Sequence, residues 1–140
     1  MGRIVAIDYG RKRTGLAVTD PRQIIATALT TVSGDEVLPF LQKYAGQEAV
    51  ELFVVGLPRQ MNGQPSEALQ GIEAFVAGLR RTIPDIPVCY YDERFTSLLA
   101  KQAILAAGVK KMKRREKGLI DRTAAVIILQ DYLESLKLRK

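Results

Sequence analysis

"IVAIDYGRKRTGLAV", Ile4 to Val18, is the stretch on which the fold turns. Ile4-Val5-Ala6-Ile7 is apolar on both faces of an extended chain, which predicts a central strand over Ile4–Tyr9. Gly15 to Thr19 reads as a second strand, and the short glycine-bounded link between them predicts an antiparallel hairpin. Asp8 stands at the end of the first strand. It shares parity with Ile4 and Ala6, so it leaves the sheet on a face used by core residues. A buried carboxylate without a partner is costly, so two readings stand. Asp8 is a hydrogen-bonded strand-end residue opening an Asp8-Tyr9-Gly10 turn, or it meets a cation or metal.

Working outward, Ile24 to Leu29 reads as a third strand after the Asp20-Pro21 turn. Glu36 to about Gln47 has helical spacing, with Val37, Phe40, Leu41 and Tyr44 on one side. Leu52 to Val55 is a short buried strand closed by Gly56, and Met61 to Pro65 is a loop. Ser66 caps a helix running to about Thr82, with Ile72, Phe75, Val76 and Leu79 inward. Val88 to Asp92 is the last strand. Thr96 caps a helix through Ala107 that Gly108 ends, and Ile120 to about Leu136 is the final helix. Three antiparallel strands followed by α/β crossover units predict an α/β mixed sheet with helices on both faces. No internal repeat or linker divides the chain, so residues 1–140 are expected to form a single domain.

The bulk numbers narrow the chemistry. Apolar residues make up 47%, enough for a sizeable core. No apolar run approaches the roughly 18 residues of a membrane span, and the N-terminus carries no signal-peptide pattern, which predicts a cytoplasmic protein with no membrane partner. Cys89 is the single cysteine and sits in an apolar strand-like run, where core packing is its expected role. There is no histidine, which removes histidine triads, the commonest general base and most zinc sites. Net charge is +6 and the isoelectric point is about 9.6, a balance that suits a polyanionic partner.

Three carboxylates stand in awkward places. Asp8 is the first. Glu93 follows the last strand in "VCYYDERF", at a C-terminal strand end where α/β proteins gather ligands; the alternative is a solvated loop whose Arg94 pairs with a neighbouring acid. Asp121 shares a helical face with Ala124, Ala125, Ile128 and Tyr132, the core-facing stripe. A first-turn acid also suits the helix dipole, which explains its position along the helix better than its face. Small Ala124 and Ala125 let this end of the helix approach the sheet. If the three acids converge they need a hard cation, and oxygen-only ligation suits Mg²⁺ or Mn²⁺. Such ions support phosphodiester hydrolysis. Lys110 to Lys117, "KKMKRREK", carries six cations and one acid directly before Asp121, and Arg11, Lys12 and Arg13 flank Asp8. Each run reads as a solvated basic surface or as a phosphate-backbone contact. Aromatic residues do not interleave with them, which disfavours base stacking on single strands.

These residues resemble a known family. Asp8-x-Gly10-x-x-Arg13-x-Gly15, Gly56-Leu57-Pro58 with Asn62-Gly63, Asp92-Glu93-Arg94-x-Thr96, and Lys117-x-x-x-Asp121-x-x-Ala124-Ala125 match the YqgF (RuvX) family in order and spacing, over essentially the whole chain. The resemblance implies an RNase H-like fold, shared with RuvC-type Holliday junction resolvases. It implies a nuclease that trims the 5′ end of precursor 16S ribosomal RNA, with Asp8, Glu93 and Asp121 as catalytic metal ligands. Arg13, Arg94 and Lys117 become substrate-binding companions facing phosphates. The rival readings are a resolvase acting on branched DNA, a nucleotide-binding protein of the actin-like class, and a non-catalytic RNA-binding assembly factor. The expected partners are structured precursor rRNA or branched DNA, and ribosomal particles, with the protein a monomer or homodimer. Arg59-Gln60, after Gly56-Leu57-Pro58, takes no role from the sequence.

Overall fold

The computed structural model describes residues 2–57, 67–92 and 117–138, with backbone alone at 67–68, 92, 117–123 and 137–138. Five strands form one sheet in the order β3-β2-β1-β4-β5. β1 (Arg3–Asp8), β2 (Thr14–Thr19) and β3 (Ala26–Val32) make the antiparallel meander; β4 (Val50–Leu57) and β5 (Val88–Asp92) add parallel strands beyond β1. β1 is therefore central, as its two-faced apolar run predicts, and Ile4 to Ile7 are all buried.

Helices cover both faces. α1 (Val37–Gln47) and α2 (Glu67–Thr82) pack on one. Val5, Ile7, Leu16, Val18, Phe53 and Val55 rise from the sheet there to meet Val37, Leu41, Ile72, Phe75, Val76 and Leu79. Pro39 falls in the first turn of α1, where a missing N–H breaks no helical bond. The alternate strand residues, Ile4, Ala6, Ala17 and Val54, meet α3 (Lys117–Leu138) on the opposite face through Ala125, Ile128, Leu129 and Leu133. Tyr132 of α3 reaches Tyr91 of β5 edge-to-face at 6.2 Å. None of the described helices is long and apolar enough to cross a membrane.

Several boundaries differ from the sequence expectation. β3 begins at Ala26 rather than Ile24. The cause is Asp20, whose carboxylate accepts the N–H groups of Ile24 and Ile25, each at 2.8 Å, and of Arg22 at 3.1 Å. These local bonds compete with the ladder and hold the two isoleucines outward, 64% and 63% exposed. The same N–H groups, Ile25 first, hold the Asp20 carboxyl below its ordinary pKa. β4 extends to Val50 and Leu57, because β1 and β5 supply ladder partners beyond its apolar centre. α3 begins at Lys117, a turn before Ile120. The predicted helix over Thr96–Ala107 lies outside the described residues, as do the Ser66 cap, the Met61–Pro65 loop and Arg59-Gln60.

Candidate active site

Asp8 is the last residue of β1, opposite Gly15 of β2, and half-buried. Its parity with Ile4 and Ala6 directs it to the α3 face of the sheet. Ile7 pairs with Val55, and Gly56 pairs with Tyr91, so Gly56 comes level with Asp8 on the neighbouring strand. It shares the parity of Val54 and lies on the α3 face too. With no side chain at 56, β4 adds no bulk beside Asp8 on that face. The sequence marks Gly56 as the close of a strand and as part of the Gly56-Leu57-Pro58 motif; its place beside Asp8 comes from the register.

The hairpin after Asp8 is tightly built. The Thr14 hydroxyl accepts the Gly10 N–H at 3.2 Å and donates to the Gly10 carbonyl at 2.9 Å. A Cβ on Gly10 would collide with the Arg13 carbonyl oxygen, so the turn requires glycine. Tyr9 falls on the other face, where its ring stacks on Phe75 at 4.7 Å. Arg11, Lys12 and Arg13 are exposed at the tip.

β1, β4 and β5 run parallel, so their C-terminal ends share one edge of the sheet. Two strand spacings separate β1 from β5, roughly 10 Å. Glu93 follows β5 directly in sequence; it and Arg94 lie outside the described residues. Asp121 and Lys117 belong to α3, where the structure gives their backbone. The direction of α3 follows from its far end. Gln130, Asp131, Leu133 and Glu134 line a groove of about 410 Å³ with Ile24, Ile25 and Ala26. Ala26 pairs with Thr19, whose hydroxyl accepts the Ile4 N–H at 2.9 Å, so this groove marks the edge where β1 begins. The early turns of α3 thus run back toward the edge where β1 ends at Asp8. Ten residues of helix rise about 15 Å, and four residues of strand about 13 Å, so the two lengths match. Residue 121 lies one turn before Ala125, which is fully buried against the sheet.

Asp8 supplies hard carboxylate oxygens, which fit a divalent ion of the Mg²⁺ or Mn²⁺ kind. Among the described residues no three acidic, cysteine or histidine side chains gather, two of the three predicted ligands having side chains outside that set.

Residues 2–135 match the family described as "RuvX: Holliday junction resolvase". A protein of Parabacteroides distasonis is 61% identical over 137 residues, 98% of each chain, and bears the name "Putative pre-16S rRNA nuclease". One of Bacteroides fragilis with the same name is 56% identical over 138 residues, 99% of this chain and 100% of its own. Among solved structures, Thermus thermophilus RuvC in complex with a Holliday junction substrate superposes with a TM-score of 0.63 at 14% identity, covering 98% of this chain and 96% of that one. A further T. thermophilus RuvC structure gives 0.55 at 15% identity, over 95% and 96%. That likeness makes the fold RNase H-like, as the family resemblance implies.

Proposed function

The chain belongs to the RuvX family, and from that premise we propose that it is a metal-dependent nuclease that trims the 5′ end of precursor 16S rRNA in the cytoplasm. The observation carrying this reading is the pair of relatives matched over nearly the full length of both chains, at 61% and 56% identity, both named for that substrate. In this reading residues 1–140 act as one nuclease domain, on precursor rRNA within ribosomal particles.

Asp8, Glu93 and Asp121 would hold the divalent ion. The ion, when bound, supplies charge that activates water and stabilises the leaving oxygen. Asp8 is suited to fixing such a ligand position, because a central strand bonded on both sides moves less than a loop. In this reading a backbone phosphate would sit beside Asp8, where Gly56 contributes no side chain. The direction of α3 and the buried position of Ala125 support bringing Asp121 to the same edge. Arg13, Arg94 and Lys117 would hold the phosphates that flank the scissile bond, orienting them without reading bases.

A second reading, cleavage of branched DNA, is favoured by the family's own description as a Holliday junction resolvase. One experiment separates them. Wild type and Asp8→Asn are incubated with a 5′-extended 16S precursor RNA and with a four-way DNA junction, in Mg²⁺, Mn²⁺ or EDTA. RNA cleavage that needs both metal and Asp8 is the expected result. Junction-selective cleavage with the same needs makes it a resolvase. Binding of both substrates with cleavage of neither overturns the nuclease reading in favour of an assembly factor.

A further inference from the structure

The loop from Tyr9 to Arg13 is held from three sides. Inside it, Thr14 bonds both polar groups of the Gly10 backbone. Beneath it, the Tyr9 ring stacks on Phe75 and lies 3.7 Å from the site of a Cβ on Gly71. On the β3 side, the Gly34 N–H donates to the Arg11 carbonyl at 3.1 Å. Gly34 has no room for a side chain. A Cβ there would stand 2.5 Å from the Arg11 carbonyl oxygen and 2.9 Å from that of Gly10. Both are backbone atoms, so neither can rotate aside. The brace therefore depends on glycine at a position two residues past the end of β3 and more than twenty residues from the loop it supports.

What the braced loop presents is charge. Arg11, Lys12 and Arg13 stand exposed in succession, next to Asp8 at the sheet edge. Binding an anion on a mobile loop costs ordering entropy, and a loop fixed in advance avoids that cost. Gly34 and Arg11 lie on the β3 side of Asp8, whereas β5 ends on the other side. Arg11 and Lys12 are thus placed to meet phosphates further along a strand than those at Asp8 itself.

We propose that Gly34 is a positioning residue, bracing the 9–13 loop so that Arg11 and Lys12 grip the phosphate backbone of a nucleic-acid strand leaving the site toward β3. The identity of the ligand rests on the nuclease reading; the brace itself is a matter of geometry.

The test reads binding of a 5′-extended 16S precursor RNA in EDTA, where no cleavage intervenes, as salt is raised. Each phosphate that the protein ceases to neutralise flattens the slope of log K against log salt by roughly 0.7–0.9. Arg11→Gln with Lys12→Gln should weaken binding about tenfold at 0.1 M salt and flatten the slope by about 1.5. Gly34→Ala should move affinity and slope the same way. Partial unfolding alone lowers the binding-competent fraction but leaves the slope as it was. Gly46→Ala, in α1 with nothing within 4 Å of the added carbon, should change neither quantity. An unchanged slope in the double variant, or in folded Gly34→Ala, overturns the proposal, as does wild type that fails to bind. If Gly34→Ala does not fold, the exposed double variant decides. A failed nuclease reading looks different: wild type binds with the full slope and cleaves nothing in Mg²⁺ or Mn²⁺, and the loop comparison still decides on binding.

Discussion

The two faces of the sheet are built from the same strands and differ in bulk. β1 sends Val5 and Ile7 toward α1 and α2, but Ile4 and Ala6 toward α3. β2 sends Leu16 and Val18 one way and Ala17 the other; β4 adds Phe53 and Val55 against Val54. Two helices and large side chains make the first face a deep core. The second face is shallow, with alanine on both partners, and among the described residues a single helix, α3, comes close to the strands. Only the second face carries Asp8 at its edge and Gly56 beside it. Bulk stabilises; closeness sets the position of polar groups, because a helix resting on alanines has little freedom to shift.

This contrast can be broken from either side. The largest expected effect is Asp8→Asn, which should reduce cleavage on the order of 10³-fold or more while the urea midpoint stays near wild type. A variant that still cleaves at the wild-type rate would remove Asp8 from the chemistry. Phe53→Ala, on the deep face, should do the opposite: lose about 3–5 kcal/mol in urea unfolding and leave the turnover of the folded fraction unchanged. Ala17→Leu forces volume under α3. It should cost about 1–3 kcal/mol and also lower turnover in the folded protein, since the helix must lift. If turnover holds, α3 does not position the site.

The smallest effect lies off both faces, at Asp20. Its carboxyl is held below its ordinary pKa by the N–H groups of Ile25, Ile24 and Arg22. A lowered folded-state pKa gives stability that is present above the unfolded pKa and lost as pH falls through the folded one. The advantage of wild type over Asp20→Asn should therefore shrink below about pH 4. The Glu51 carboxyl is lowered as well, chiefly by the Gln23 side chain, but it is common to both proteins and cancels. Urea midpoints from pH 6 to pH 2 measure the difference.

The same contrast shows what the sequence could carry. Alternation along Ile4–Asp8 was enough to put Asp8 on one face, and helical spacing was enough to put the 121, 125 and 128 positions of α3 on one stripe, because both rest on fixed local periods. Which face is shallow was not legible, since it depends on which strands become neighbours. Gly56 illustrates this: its place beside Asp8 exists only through the β1–β4 register, fixed between residues about fifty apart in sequence. Ile24 and Ile25 misled in another way. Their β-branched, apolar character reads as strand, yet a single carboxylate four and five residues upstream takes their N–H groups. α3 is also buried more widely than one stripe, with Ile127 and Leu129 inside as well, so periodicity alone understates how much of that helix is covered.

The order of elements along the chain also has a consequence in time. β1 is the first described element to be synthesised and α3 is the last. At about 5–20 residues per second, the 113 residues added after Asp8 up to and including Asp121 take roughly 6–23 s to make. Until α3 emerges, the shallow face lacks the helix that packs on Ile4, Ala6, Ala17 and Val54. A nuclease proposed to act on ribosomal RNA is thus made by a ribosome in a sequence that leaves the cutting edge unassembled for most of its own synthesis.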